Sequence, residues 1–326
     1  MSMSMFHPTT LEQETNHPEQ RLPVEAAPAV ESGGSRPGVA FRFQARDGYS
    51  LAATLHEPEG SQLGAVVLVS GATGARQRYY SRFAAFLAQR GFPTITFDYR
   101  GIGGSRPQSL EGFEARMEDW GSQDLAGAID MVRERYPNHR LLLVGHSVGG
   151  QLLGLAPNAG EVSALLNVAA GSGYYKLFPQ SWRMGLTWRV VMPTLVRAFG
   201  KLPGWAGTAE DLPAGVAEQW ARWCLSPDYL LSEGGEARRE AYASLYLPLR
   251  AYSFADDEMA PRAAVEHLLS FYADSLMEHR HVSPKDLGRA IGHFGFFRET
   301  FRDTLWCEAT EWLAIHALTP RPATGA

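Results

Sequence analysis

The run Gly64-Ala-Val-Val-Leu-Val69 holds no polar side chain over six positions, and no other segment constrains the fold more. A strand apolar on both faces must be buried on both, as a central strand is in a parallel sheet covered by helices. The following segments extend the pattern. Tyr80 to Arg90 places Phe83, Phe86 and Leu87 on one helical face and is followed by Gly91, suited to a left-handed C-terminal cap. Thr94-Ile-Thr-Phe97 then reads as strand, Gln123 to Glu134 as helix and Leu141-Leu-Leu-Val144 as strand. A helix from Ser147 to Leu155 and a strand from Ala164 to Val168 follow. Upstream, Phe41 and Phe43 alternate with polar residues, Asp47-Gly48 marks a turn, and Leu51 to Leu55 resumes, which is a β-hairpin signal. Strands alternating with helices at this spacing predict an α/β protein with a mostly parallel, doubly wound sheet.

The alternation stops at Gly171. Residues 171–245 hold Trp182, Trp188, Trp205, Trp220 and Trp223 and read as short helices interrupted at Pro193, Pro203, Pro213 and Pro227. The alternation resumes with a strand from Leu249 to Phe254, a helix from Arg262 to Ser270, a strand from Glu278 to Val282 and a last helix from about Phe297 to His316. The expected organisation is a core of residues 38–170 and 246–320, with a helical cap inserted at 171–245. Residues 1–37 are rich in Glu, Pro, Ser, Gly and Thr without a sustained apolar period, and read as a flexible N-terminal extension.

A net charge of −5 and a pI near 6.1 supply no basic stripe of the kind that nucleic acid or anionic lipid requires. No run of 18 apolar residues is present, so no membrane span is expected. The opening Met-Ser-Met-Ser-Met lacks the basic-then-apolar order of a secretion signal, and a cytoplasmic location follows by default. Cys224 and Cys307 are far apart, without metal-ligand spacing, and are expected as two buried free thiols. Oligomeric state is left open.

Gly145-His146-Ser147-Val148-Gly149 fits G-x-S-x-G, a sharp strand-to-helix turn that exposes a serine. Side chains two residues either side of that serine would collide, hence the glycines. A serine hydroxyl is a weak nucleophile without a base, and the base needs an orienting acid. Among the histidines after Ser147, His293 lies in the turn Gly292-His-Phe-Gly295, between the last strand and the last helix. His267 and His316 fall within helical patterns. His279 and His281 share one strand face but have no third metal ligand near in sequence. The acid should follow a strand, and Ala255-Asp256-Asp257-Glu258 follows Arg250 to Phe254. Asp257 is favoured, with Asp256 and then Glu258 as alternatives. The backbone N–H of Val148 should give one oxyanion donor. The loop Ser70-Gly-Ala-Thr-Gly74 should give the second, from Ala72, with Thr73 next. Arg100-Gly-Ile-Gly-Gly-Ser105 has the look of a phosphate loop but neither of its spacings.

Taken together, Asp98-Tyr-Arg-Gly-Ile-Gly-Gly-Ser105, Gly145-His-Ser-Val-Gly149, Ala255-Asp-Asp-Glu-Met-Ala-Pro261 and Gly292-His-Phe-Gly295 give the chain a resemblance to the α/β-hydrolases over roughly residues 40–316. It is similar to the serine-aminopeptidase-like and lysophospholipase-like bacterial branch. The resemblance implies a triad of Ser147, Asp257 and His293, needing neither metal nor cofactor, and an acyl-enzyme route to ester hydrolysis, with a small-molecule acyl substrate as the partner. Acyl transfer, peptide cleavage or a non-catalytic binding role are the alternatives. Ser70 stands where many relatives carry histidine, which bears on the oxyanion donor. The aromatic insertion suggests a hydrophobic acyl or aryl group beneath Trp182, Trp188, Trp220 and Trp223.

Overall fold

Ten strands run through the computed structural model, which describes residues 37–273 and 275–318. They are β1 (Val39–Gln44), β2 (Ser50–His56), β3 (Ala65–Ser70), β4 (Thr94–Phe97), β5 (Arg140–His146), β6 (Val162–Val168), β7 (Lys201–Leu202), β8 (Leu212–Pro213), β9 (Pro248–Phe254) and β10 (Leu276–Val282). Eight of them form one sheet in the order β1-β2-β4-β3-β5-β6-β9-β10. β2 pairs antiparallel with β1 and β4, and every other neighbouring pair is parallel. β3, β4 and β6 are buried along their whole length, as the uninterrupted apolar run of β3 requires. The extension expected over residues 1–37 lies, but for Pro37, outside the described residues.

The parallel register aligns the carboxyl ends of the central strands. Ser70 pairs with Gly145, His146 with Val168, and Phe254 with Val282. Loops leaving these ends therefore meet along one edge, where ligands of open α/β sheets bind.

Several elements depart from the sequence reading. The helix expected over Ser147–Leu155 is two short 3-10 turns, Ser147–Gly150 and Leu153–Leu155. Gly149, Gly150 and Gly154 weaken an α-helix there and Pro157 ends it. Gly154 also has no room for a side chain, since a Cβ would lie 2.5 Å from the Tyr242 ring. The last α-helix starts later than expected, at Cys307, after a 3-10 turn (Glu299–Phe301) and a wider π turn (Arg302–Trp306). Both cysteines are free, but only Cys224 is buried; Cys307 is half-buried, because it opens the outer helix.

The chain between β6 and β9 is an insertion of helices, the longest being Met192–Phe199, Ala214–Leu225 and Gly235–Ala243. It also holds a two-stranded β7–β8 pair that the sequence did not suggest. Its residues 204–213 pack on the loops after β3 and β4. Glu210 pairs with Arg76 and accepts a hydrogen bond from the Gly103 amide at 2.7 Å. Gly101, at φ +83°, leaves just enough room for Pro213, whose Cγ would lie 2.5 Å from a Cβ there.

Candidate active site

β5 ends at His146, and the next residue breaks the backbone rule for L-amino acids. Ser147 has φ +52°, in the left-handed region that side-chain-bearing residues rarely occupy. The turn is possible because its neighbours lack side chains. A Cβ on Gly145 would lie 2.4 Å from Gly150 Cα, and one on Gly149 only 2.0 Å from the Ser70 carbonyl oxygen. Ser147 is half-buried while Val148, Gly149 and Gly150 are buried, so the strained serine alone reaches the surface of the turn. The Val148 amide, early in its 3-10 turn, is among those left without an acceptor in that turn.

The loop after β9 brings a carboxylate to the same edge. Asp257 Oδ2 lies 2.8 Å from His293 Nδ1, with the two side chains 0% and 6% exposed. Its other oxygen accepts the Met259 and Ala260 amides at 2.8 and 3.0 Å, which fixes the carboxylate's orientation. Asp256 faces the backbone instead. Its Oδ2 accepts the Ile291 amide at 2.8 Å and so ties down the chain just before His293. Glu258 is exposed. Of the three adjacent acids, Asp257 is thus the one facing the imidazole. Among the described residues, neither the Ser147 hydroxyl nor His293 Nε2 has a hydrogen-bond partner; such contacts are often long before a substrate binds.

Three other histidines after Ser147 are engaged elsewhere. His279 and His281 both bond the Ser253 hydroxyl, at 2.7 and 2.8 Å, and His267 bonds that of Ser172 at 2.7 Å. Among the described residues no cluster could hold a metal ion. No described helix is long and apolar enough to cross a membrane.

Residues 60–191 match the family model described as serine aminopeptidase, S33. The fold is similar to that of a soluble variant of monoglyceride lipase from Saccharomyces cerevisiae, solved with a substrate analog. The two are 14% identical over 90% of this chain and 100% of that one, with a TM-score of 0.63. It is similar too to an esterase from Pyrococcus furiosus, at 14% identity over 85% of this chain and 90% of that one, TM-score 0.55. No curated protein matches the sequence. The fold is that of the α/β-hydrolases.

In this fold a buried relay, which the sequence did not reveal, joins the loop after β3 to the histidine loop. His146 Nε2 lies 2.9 Å from the His293 carbonyl oxygen, to which it must donate. Its Nδ1 is then an acceptor, taking the Tyr80 hydroxyl proton at 2.8 Å. The Tyr80 oxygen in turn accepts the Ala72 amide at 2.8 Å. Burial holds His146 well below the usual imidazole range, helped by the neighbouring His293, and drives Tyr80 well above the usual phenol range. Both groups therefore stay neutral, as the relay demands. Tyr79 adds a second tie, donating to the Phe294 carbonyl at 2.5 Å.

This relay corrects the expectation for Ala72. Its single amide proton is committed to Tyr80, so it is not a free oxyanion donor. Thr73, the next residue in the loop, is half-buried and makes no hydrogen bond among the described residues.

One further expectation changes, and the segment set aside as no phosphate loop takes a structural role. Arg100 in the glycine-rich segment after β4 is a structural anchor, bonded to Asp47 at 2.6 and 2.8 Å and to Asp124 at 2.7 Å. Burial raises the Asp124 carboxyl to about 6, against the pull of Arg100. The four tryptophans do not share one lining. Trp223 is fully buried against Tyr229, Trp182 is 73% exposed, and Trp188 packs edge-on with Trp220 at 4.9 Å. A helical pattern reveals which residues are apolar, but not which of two apolar faces points outward.

Proposed function

We propose that the chain is a serine hydrolase acting on esters or related acyl bonds, with Ser147 as nucleophile, His293 as general base and Asp257 as its orienting acid. The observation that carries this reading is the buried His293–Asp257 pair, whose imidazole lies 5.2 Å from that of His146, the residue before the strained Ser147. With Asp257 ionised, Nδ1 keeps its proton and Nε2 is the basic nitrogen.

His293 removes the Ser147 proton as the oxygen attacks the acyl carbon, and the carbonyl oxygen takes up the negative charge. Two backbone amides, from Val148 and Thr73, receive that charge; the second assignment follows from the engagement of Ala72. Collapse expels the alcohol or amine, which takes its proton from His293 and leaves an acyl-enzyme. Water, deprotonated by His293, then releases the acid and restores Ser147. The insertion acts as the cap, since Tyr229 and Tyr242 bond Gln151, four residues beyond the nucleophile, at 2.9 and 2.6 Å.

The test is labelling with a fluorophosphonate, followed by hydrolysis of p-nitrophenyl esters of increasing chain length and of aminoacyl anilides. The proposal expects labelling of wild type and none of Ser147→Ala, with ester turnover exceeding anilide turnover. A folded wild type that neither labels nor turns over any ester would overturn it. Anilide turnover alone would move the reading to a peptidase.

A further inference from the structure

The helical run from Ser181 through Phe199 carries apolar residues on two faces. Gly185, Trp188, Met192 and Val196 are buried inward. Trp182, Leu186 and Val190 face out, 73%, 50% and 52% exposed. They recur every fourth residue, so they form one stripe along the helix. At about 100° per residue, Arg183 falls to one side of this stripe and Arg189 to the other. Phe199 and Trp205, also exposed, pack edge to face at the end of the run.

The charge along this segment is one-sided. From Val162 to Ala209 the sequence has five basic residues and no acidic one, within a chain of net charge −5. The whole-chain balance, which spoke against an anionic lipid partner, averages this segment away. Lys176, Arg183, Arg189 and Arg197 form no ion pair among the described residues. Arg183 donates to the Gln180 side chain and Arg189 to the Tyr175 hydroxyl, both neutral groups. Unpaired guanidinium groups beside an exposed aromatic and aliphatic stripe are the two halves of an interfacial lipid site. The apolar side chains enter the acyl boundary while the arginines meet headgroup phosphates. A second copy of the chain suits the stripe poorly, because a symmetric contact would set arginines against arginines.

We propose that this outer face of the insertion docks on an anionic lipid bilayer. The proposal is independent of the catalytic assignment, so its test reads binding alone. The full chain is sedimented with phosphatidylglycerol–phosphatidylcholine vesicles, with pure phosphatidylcholine vesicles as control, at low and high salt. The expected result is salt-sensitive binding to the mixed vesicles only, unchanged by Ser147→Ala. Replacing Arg183, Arg189 and Arg197 together by Gln should weaken it roughly a hundredfold. Trp182→Ser with Leu186→Ser should weaken it about tenfold. Far-UV circular dichroism checks that each variant is folded. No binding at low salt, equal binding to both vesicles, or binding indifferent to both variants would overturn the proposal. So would a dimer by light scattering that Trp182→Ser dissociates while vesicles are ignored, which would make the stripe an interface between copies.

Discussion

At the carboxyl edge of the sheet, side chains are held from several directions at once. Asp257 takes three hydrogen bonds, His146 is bonded at both nitrogens, and Gly149 lies so close to Ser70 that a methyl group does not fit. On the outer face of the insertion, Trp182, Leu186 and Val190 meet no such constraints, and the arginines beside them lack carboxylate partners among the described residues. The edge is organised to hold a few atoms in place, which reactions require. The outer face is organised to remain available to something outside the chain. Substitutions should therefore be costly at the edge and nearly free on the outer face.

The largest expected effect is on turnover. Ser147→Ala should lower kcat by about 10⁴- to 10⁶-fold, since the remaining site keeps only binding and oxyanion stabilisation. Asp257→Asn should fall nearly as far, roughly 10⁴-fold, because an amide stabilises the wrong imidazole tautomer. Asp256→Asn touches only the Ile291 tie and should lose much less. Steady-state kinetics of the three on one p-nitrophenyl ester checks this; equal losses for Asp256 and Asp257 would erase the distinction between them.

Next come two structural breaks at the same edge. A Cβ on Gly149 would lie 2.0 Å from a backbone oxygen, which no rotamer change relieves. Gly149→Ala should cost about 3 kcal/mol or more in urea unfolding. Tyr80→Phe strips the partner from two buried groups, the Ala72 amide and His146 Nδ1, and should cost about 2 kcal/mol. It should also reduce kcat about tenfold with KM little changed, because the His293 loop hangs on the other end of the relay. Tyr79→Phe, which removes the second tie to the same loop but leaves the relay intact, separates the two contributions.

These particulars show what the sequence could and could not convey. The elbow was legible because its logic is local: a strand, a serine and glycines within six residues. The sheet was legible from β3 and its alternation with helices. The choice between Asp256 and Asp257 rested on which of them meets an imidazole 36 residues away, a fact carried by the packing of two loops. Tyr80 gave no signal, since its partner His146 is 66 residues distant and a tyrosine opening a helix is ordinary. The α-helix expected after Ser147 does not form, because three glycines and a proline weigh more there than the leucines. The cationic stretch in the insertion was fully visible, but a whole-chain charge hides a local one.

A smaller effect follows from the buried imidazoles. His146 and His56 are both held below the usual range, first of all by burial. Below about pH 6.5 the unfolded chain binds protons that the folded chain refuses, so stability is full above that pH and declines as pH falls. Each buried histidine contributes at most about 1.4 kcal/mol per pH unit to this slope. Urea midpoints between pH 7.5 and about 5 should therefore decline, and His146→Gln should flatten the decline. An unchanged slope in that variant would mean that His146 takes up its proton within the fold.

The smallest expected effect is the one that completes the contrast. Trp182 is 73% exposed, so its ring gains little from folding, and Trp182→Ser should change the unfolding free energy by no more than about 0.5 kcal/mol. Trp223, on the same insertion, is fully buried against Tyr229, and Trp223→Ala should cost about 3–5 kcal/mol. The pair separates the insertion into an inner layer that belongs to the core and an outer layer that stability does not explain. A Trp182 variant as destabilised as the Trp223 variant would place that ring in a packed environment, and the outer face would lose its claim to be a free surface. If Trp182→Ser is neutral instead, folding gives no reason for a large aromatic at that position, and the reason must lie in what the face touches.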